Sequence, residues 1–371
     1  MQELTLSVRD PWMTPRLGAS AKKMSVAFRA VVVGYLAYAV FGHLSYLVIG
    51  RPVAETWTLY RFFPPPPGLG SGIGSMLIWD MGAVTAVLSL MIGSTGIAKI
   101  TYRQLKGDNF YGNSDAWRYA LARGRSTLGT PFINAVLLAL ICLVLWIVGW
   151  ISSIPFAGPL FLGLMALPAF GLALLAVYVA VAFLFSLLYT PSVIGATGED
   201  GLEGMIQVFG LLWNNPWRTT AYTITVVFTA LLAAYILASL SLLALTVLGG
   251  VLGAVMGPSF DAIAAGTISY LPLKSLFFID PPMWLWPGPL MNLVPAMDVM
   301  SPPLTGSQGV AVFIGGLSLV IVSGVLFSYV ISCLASGFTV SYIVLRRIKD
   351  GEDLLEWSDE VDELEYREDG D

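Results

Sequence analysis

Six stretches of this chain each carry enough consecutive apolar residues to cross a hydrocarbon layer as a helix, and no other feature of the sequence constrains the fold as strongly. A bilayer core of about 30 Å takes about 20 helical residues. The qualifying stretches run over 24–49, 75–98, 132–151, 160–189, 218–248 and 310–345. Backbone groups in lipid must be hydrogen-bonded within the protein, so runs of this length are read as helices. The expected fold class is an all-α integral membrane protein with six transmembrane helices. Pro168 predicts a kink in the first third of the fourth span. The fifth and sixth spans exceed the membrane's thickness, so they are expected to tilt or project beyond it.

Composition supports the same class, with 12% charged residues and a mean hydropathy of +0.77, against about 25% charge in soluble domains. Lys22 and Lys23 precede an apolar run containing Ala37-Tyr38-Ala39 and so imitate a signal peptide with its cleavage site. Arg29 interrupts that run and apolar letters continue to Ile49, so it is read as an uncleaved first span.

Orientation follows from Lys and Arg. Sixteen of the 19 fall in the N-terminal segment 1–23 and the start of the first span, the second and fourth connections and the C-terminal segment 346–371; only Arg51, Arg61 and Lys274 fall in the others. The positive-inside bias places both termini in the cytoplasm. The connections assigned outside are proline-rich. Residues 50–74 contain Pro64-Pro65-Pro66-Pro67, and 258–307 contain nine prolines with Trp284 and Trp286 among them. Proline bars long helices there and tryptophan suits the headgroup layer, so 258–307 is expected to form a compact cap, with a flexible loop as the alternative.

Two inner stretches echo one another. Asp115 precedes Pro131-Phe132 by sixteen residues, and Asp200 precedes Pro216-Trp217 by the same interval. Each is read as an interfacial elbow helix, N-capped by its aspartate, that turns into the bilayer at the proline. An elbow followed by two spans, used twice, would make the domain a set of repeated helical hairpins; chance similarity between amphipathic helices is the alternative.

The segments Thr190-Pro191-Ser192-Val193, Gly198-Glu199-Asp200-Gly201-Leu202-Glu203 and Phe209-Gly210-Leu211-Leu212-Trp213-Asn214-Asn215-Pro216-Trp217-Arg218 resemble a stretch shared by poorly characterised bacterial multi-pass membrane proteins. Those proteins are similar to the membrane domain fused to some glycerophosphodiester phosphodiesterases. The resemblance covers about residues 100–240. It implies a helical membrane fold with cytoplasmic elbows and supplies no catalytic residues. Nothing in this chain looks like the phosphodiesterase barrel, so that activity is not implied, and the proline-rich cap and acidic tail depart from the pattern.

Ionisable side chains inside a span are costly and are the first suspects for function. His43 and Asp80 both fall near the outer third of the membrane and form a candidate intramembrane polar pair, either gating an ion path or tying two helices together. Asn134 is read as an interhelical hydrogen bond. Gly93, Gly96, Gly253, Gly257, Gly315 and Gly316 are read as close-packing positions. Cys142 and Cys333 are read as small core hydrophobes. A single histidine and the lack of paired carboxylates in the spans leave no catalytic, metal or cofactor site to expect.

The C-terminal segment is the opposite of the body. Residues 346–371 hold 12 acidic and 4 basic side chains, whereas 1–345 hold 12 acidic and 15 basic. Leu354, Trp357, Val361 and Leu364 recur at helical spacing among the carboxylates and form a candidate partner-docking face. The acids would repel anionic lipid and nucleic acid; a disordered solubilising tail is the alternative. The partners expected are the lipid bilayer and other subunits of a membrane complex, reached through the tail and the outer cap, and no nucleic acid. The favoured function is a non-catalytic accessory or scaffold subunit. A transporter or channel stands second and a membrane enzyme third.

An even number of crossings predicts that reporters fused at residue 1 and at residue 371 read out the same compartment. Opposite readouts would remove one span from the scheme.

Overall fold

The computed structural model describes residues 10–68, 70–270, 306–351 and 354–356, and every described regular element is helical. A 3-10 turn over Asp10–Met13 leads into α1 (Thr14–Gly18), followed by α2 (Ala21–Val48), α3 (Val53–Tyr60), α4 (Ile73–Leu105), α5 (Asn113–Ala122), α6 (Gly124–Ser152), α7 (Ala157–Thr197), α8 (Gly201–Asn214), α9 (Pro216–Met256), α10 (Pro258–Ile268) and α11 (Gly306–Asp350). Six of them, α2, α4, α6, α7, α9 and α11, are long and apolar enough to cross a membrane. They coincide with the six stretches read from the sequence and overrun most of them. At 1.5 Å per residue the 41 residues of α7 and α9 and the 45 of α11 reach about 60 Å or more, twice a hydrocarbon core. α7 runs as one continuous helix through Pro168 and Pro191.

The helix boundaries follow local chemistry. α7 stops at Gly198, which takes the left-handed conformation at φ 74° and returns its N–H to the Ile194 carbonyl, a conformation glycine adopts without cost from a Cβ. Asp200 then caps α8, its Oδ1 accepting from the Glu203 N–H at 2.9 Å, and Pro216 opens α9 with the pre-set φ of a first-turn proline. The second elbow is therefore built as its sequence predicts.

The first elbow differs. The cap of α5 is Gly112 in an extended conformation, and Asp115 lies inside the first turn, where its charge favours the helix dipole. A Cβ on Gly112 would come within 2.9 Å of the Asp115 carboxylate, so the glycine makes room for that side chain. Pro131 does not open the span either, because α6 begins at Gly124 and carries Pro131 in its interior. One forfeited amide is tolerated because the preceding turn is held from outside. Thr127 Oγ1 bonds Thr95 Oγ1 at 3.0 Å and Thr130 Oγ1 donates to the Gly201 carbonyl at 2.8 Å.

The chain forms two compact units, to which α2, α4, α9 and α11 each contribute a part. The first unit comprises 1–27, 91–229 and 331–371 and so collects residues from both ends of the chain. Its core contains Leu17, Tyr189, Val193, Val208, Tyr222, Phe338, Tyr342, Leu345 and Leu354. The second unit comprises 28–90 and 230–330. There α2 meets α4 at Gly34, whose Cβ would lie 3.2 Å from the Ala86 backbone, and α10 meets α11 at Gly315 and Gly316, facing Thr267 and Tyr270. Of the other anticipated packing glycines, Gly96 packs on Ala116, but Gly257 lies outside α9 and forms the positive-φ turn into α10. Cys333 is buried as expected; Cys142 is on the exposed surface of α6, because its helix presents that face to the surroundings.

Gly195 sets the approach of α7 to α4, since a Cβ there would sit 2.4 Å from Ala98 Cβ and 2.9 Å from the Thr95 carbonyl. Gly195→Ala should lower the thermal midpoint of purified protein through overpacking worth about 1–3 kcal/mol. Gly171→Ala, on an open stretch of the same helix, should leave it unchanged or slightly raised.

Candidate functional site

Polar chemistry concentrates in two places, one in each unit. In the first, Arg346 on α11 is 7% exposed. Its Nη1 donates to the Tyr342 hydroxyl at 2.9 Å and lies 3.5 Å from Glu199 Oε1 in the α7–α8 connection, while Asp350 stands 3.9 Å from Nε. Burial raises the Glu199 carboxyl above its ordinary pKa, and the neighbouring Arg346 pulls it the other way without overcoming that effect. Its Oε2 is buried without a hydrogen-bond partner. The pair is thus a fixed joint between the end of α11 and the elbow, held at an electrostatic cost.

Beside it, Lys99 on α4 is 3% exposed and sits 4.8 Å from the Tyr119 ring centroid and 5.6 Å from that of Tyr102. Lys106 covers the Tyr102 ring at 5.1 Å and Arg103 approaches Tyr111 at 5.9 Å. These cations rest on aromatic faces, an attraction that strengthens as water is removed. The tyrosines also tie backbone. Tyr119 donates to the Ile194 carbonyl at 2.7 Å and Tyr102 to the Leu354 carbonyl at 2.8 Å. Buried hydroxyl pairs, Thr101 with Ser336 and Thr339 with Ser192, join α4 and α7 to α11.

The second place is the proline run. Four consecutive prolines have no N–H to contribute, but their carbonyls still need donors. Tyr35 and Tyr38 on α2 donate to the Phe62 and Pro64 carbonyls at 3.1 and 2.7 Å, Tyr46 donates to Pro65 at 3.1 Å, and the Trp79 indole on α4 gives Pro64 a second bond at 3.1 Å. A Cβ on Gly42 would come within 2.4 Å of Pro64 Cγ, so α2 is notched to seat the loop. An aromatic cluster continues from it through Phe62, Tyr270 and Phe313, with the Arg61 guanidinium 4.0 Å from the Tyr270 centroid.

His43 belongs to this aromatic neighbourhood. Its Nδ1 pairs with the Ala39 carbonyl at 2.8 Å and its ring lies 5.9 Å from Trp57. No hydrogen bond joins it to Asp80, which is on the exposed surface of α4. Asn134 is fully buried, yet neither amide atom has a hydrogen-bond partner. Of the candidate tail face, Leu354 is 1% exposed and part of the first unit's own core. Trp357, Val361 and Leu364, like most of the expected cap, lie outside the described residues. Among the described residues no three His, Cys, Asp or Glu side chains could hold a metal ion.

Tyr35, Tyr38, Tyr46 and Trp79 escaped the sequence reading, although the spacing of the three tyrosines along one side of α2 was a visible signal. Glu199 was visible as part of a motif, but its partner lies almost 150 residues away.

Removing Arg346 should leave Glu199 buried without its countercharge. Arg346→Met is expected to destabilise the protein by about 3 kcal/mol at neutral pH, with part of that recovered in the double variant carrying Glu199→Gln. Because Glu199 is raised in the folded state, its favourable contribution is complete below the ordinary value of about 4 and is lost as pH rises through the folded value. Glu199→Gln should therefore gain on wild type between acid and neutral pH, as read from thermal midpoints in detergent. No family model, curated protein or solved structure matches the chain.

Proposed function

We propose that this multi-pass protein is a non-catalytic accessory or scaffold subunit of a complex in the bacterial cytoplasmic membrane, with both termini in the cytoplasm. The observation that carries the reading is the anchored start of the acidic tail. Leu354 is buried in the core and its carbonyl is held by Tyr102, and the sequence that follows residue 356 is acid-rich, with eight acidic side chains in its fifteen residues. That is a suitable arrangement for presenting a charged segment to a basic partner. The polar side chains described above act mainly as ties between elements, as expected of a structural component. At most 22% of the apolar window of any span is buried within the chain, and the remainder is available to lipid or to helices of other subunits.

The second reading, a transporter or channel for an ion, lipid or small molecule, draws on Pro131, Pro168 and Pro191 inside α6 and α7. Prolines within spans are common in transporters, whose substrate sites are bordered by helices interrupted at such positions, although α6 and α7 are continuous here.

Affinity purification in mild detergent tests the choice. The full chain should retain a stoichiometric partner that is lost when residues 357–371 are deleted, with expression and thermal midpoint unchanged. A chain that purifies alone and moves an ion or lipid in proteoliposomes would favour the second reading.

A further inference from the structure

The turn between α6 and α7, which neither functional reading uses, is built unlike a loop that faces water. Residues 126–198 contain no Asp, Glu, Lys, Arg or His, so both helices and the turn that joins them are uncharged. Turns in contact with water ordinarily carry polar side chains. This one exposes Ile154, Phe156 and Leu160.

Its polar groups are served from within. The amides of Ser153, Ile154, Ala157 and Gly158 donate to the carbonyls of Trp150, Ile151, Pro155 and Ile154 at 3.2, 3.2, 2.9 and 2.8 Å. Pro155 has no amide to satisfy. The hydroxyls of Ser152 and Ser153 donate to the Val148 and Trp150 carbonyls at 2.7 and 2.6 Å. A Cβ on Gly158 would collide with the Ser152 carbonyl, so the turn is tightly closed. Backbone paired in this way tolerates removal from water.

Phe156 is the costly residue. Its φ is 70°, in the left-handed region where a Cβ crowds the backbone and glycine is the usual occupant. The strain does not bury the ring, which is 90% exposed. Facing water, that placement gains nothing; facing an apolar medium, it takes the ring out of water.

Depth and exposure identify the medium. Ser152 ends α6 about 20 residues after Phe132, the start of its exposed apolar face, which is about 30 Å of rise and the thickness of a hydrocarbon core. The turn therefore arrives at the boundary opposite the elbows α5 and α8. Trp146 and Trp150, each 67% exposed, share one face of the last two turns before it, where tryptophan favours the headgroup layer. Leu160 and Leu162 lie about 200° apart around α7, and both are exposed. One docked helix covers one side, whereas lipid covers all of them.

We propose that the α6–α7 turn is a lipid-anchoring tip. Phe156, Ile154, Trp146 and Trp150 seat on the apolar side of the headgroup layer in the leaflet opposite the elbows, and the connection does not emerge as a loop in water.

Spin labels on the full chain in phosphatidylethanolamine–phosphatidylglycerol vesicles test it. They are placed by Ile154→Cys, Phe156→Cys and Leu160→Cys, each with Cys142→Ser; Cys333 is buried and stays. Three positions keep the test independent of how any one variant folds. Oxygen, which concentrates in lipid, should collide with each label more often than a water-soluble nickel chelate does. The nickel rate should rise as shorter acyl chains thin the bilayer. A nickel rate above the oxygen rate overturns the proposal in favour of an aqueous loop. Low rates for both overturn it in favour of a protein partner. An oxygen excess that ignores bilayer thickness overturns the placement at the boundary.

Discussion

Hydrogen-bonding groups taken out of water must find partners inside the protein, and in this chain that requirement explains more of the arrangement than hydrophobic burial does. Lipid is as apolar as leucine, so packing helices against one another gains little from removing their apolar surface from the surroundings. What holds particular helices at particular places is the cost of leaving a donor, an acceptor or a charge unmatched. The proline run shows it most directly. Its carbonyls cannot be served by a helix or a strand, and three aromatic donors on α2 and α4 converge on them, with Tyr35 holding the Phe62 carbonyl just before the run.

The same requirement accounts for the first unit. Lys99 and Arg346 are nearly buried cations on different helices, and each is stabilised by a different device. Lys99 rests on tyrosine faces, whose attraction needs no second charge to be desolvated. Arg346 faces a carboxylate that burial pushes toward its protonated form, so this joint is weaker than its geometry alone implies. The tyrosines beside Lys99 also bind backbone carbonyls, which links charge placement to the seating of α7 and of the C-terminal segment. Glycine then sets how closely the ties can be drawn: Gly195 lets α4 approach α7, and Gly42 lets the proline loop seat on α2.

Residues that attract notice in a linear reading are not always those that the structure joins. His43 and Asp80 stood out because ionisable groups are rare in spans, yet His43 joins an aromatic cluster and Asp80 remains at the surface. Asp115 looked equivalent to Asp200, but α5 starts earlier, with Gly112 at the cap position, which leaves the aspartate in the first turn to interact with the helix dipole. Leu354 looked like part of an external face and is internal, because a tyrosine on α4 fixes the backbone beside it. In each case the deciding partner lay on another element or in the immediate backbone, where residue type alone carries little information.

The sequence by itself determined the helical class, the six apolar helices, the second elbow with its aspartate cap, and the separation of an acid-rich tail from a mildly basic body. These follow from length, apolar continuity and capping chemistry, which act over a few residues or a single turn. Only the tertiary structure decided that Tyr38 and Trp79 share one proline carbonyl and that Arg346 meets Glu199. Such pairings depend on how antiparallel helices of unequal length slide and rotate against one another, and that register is set by contacts between distant residues that no local pattern encodes.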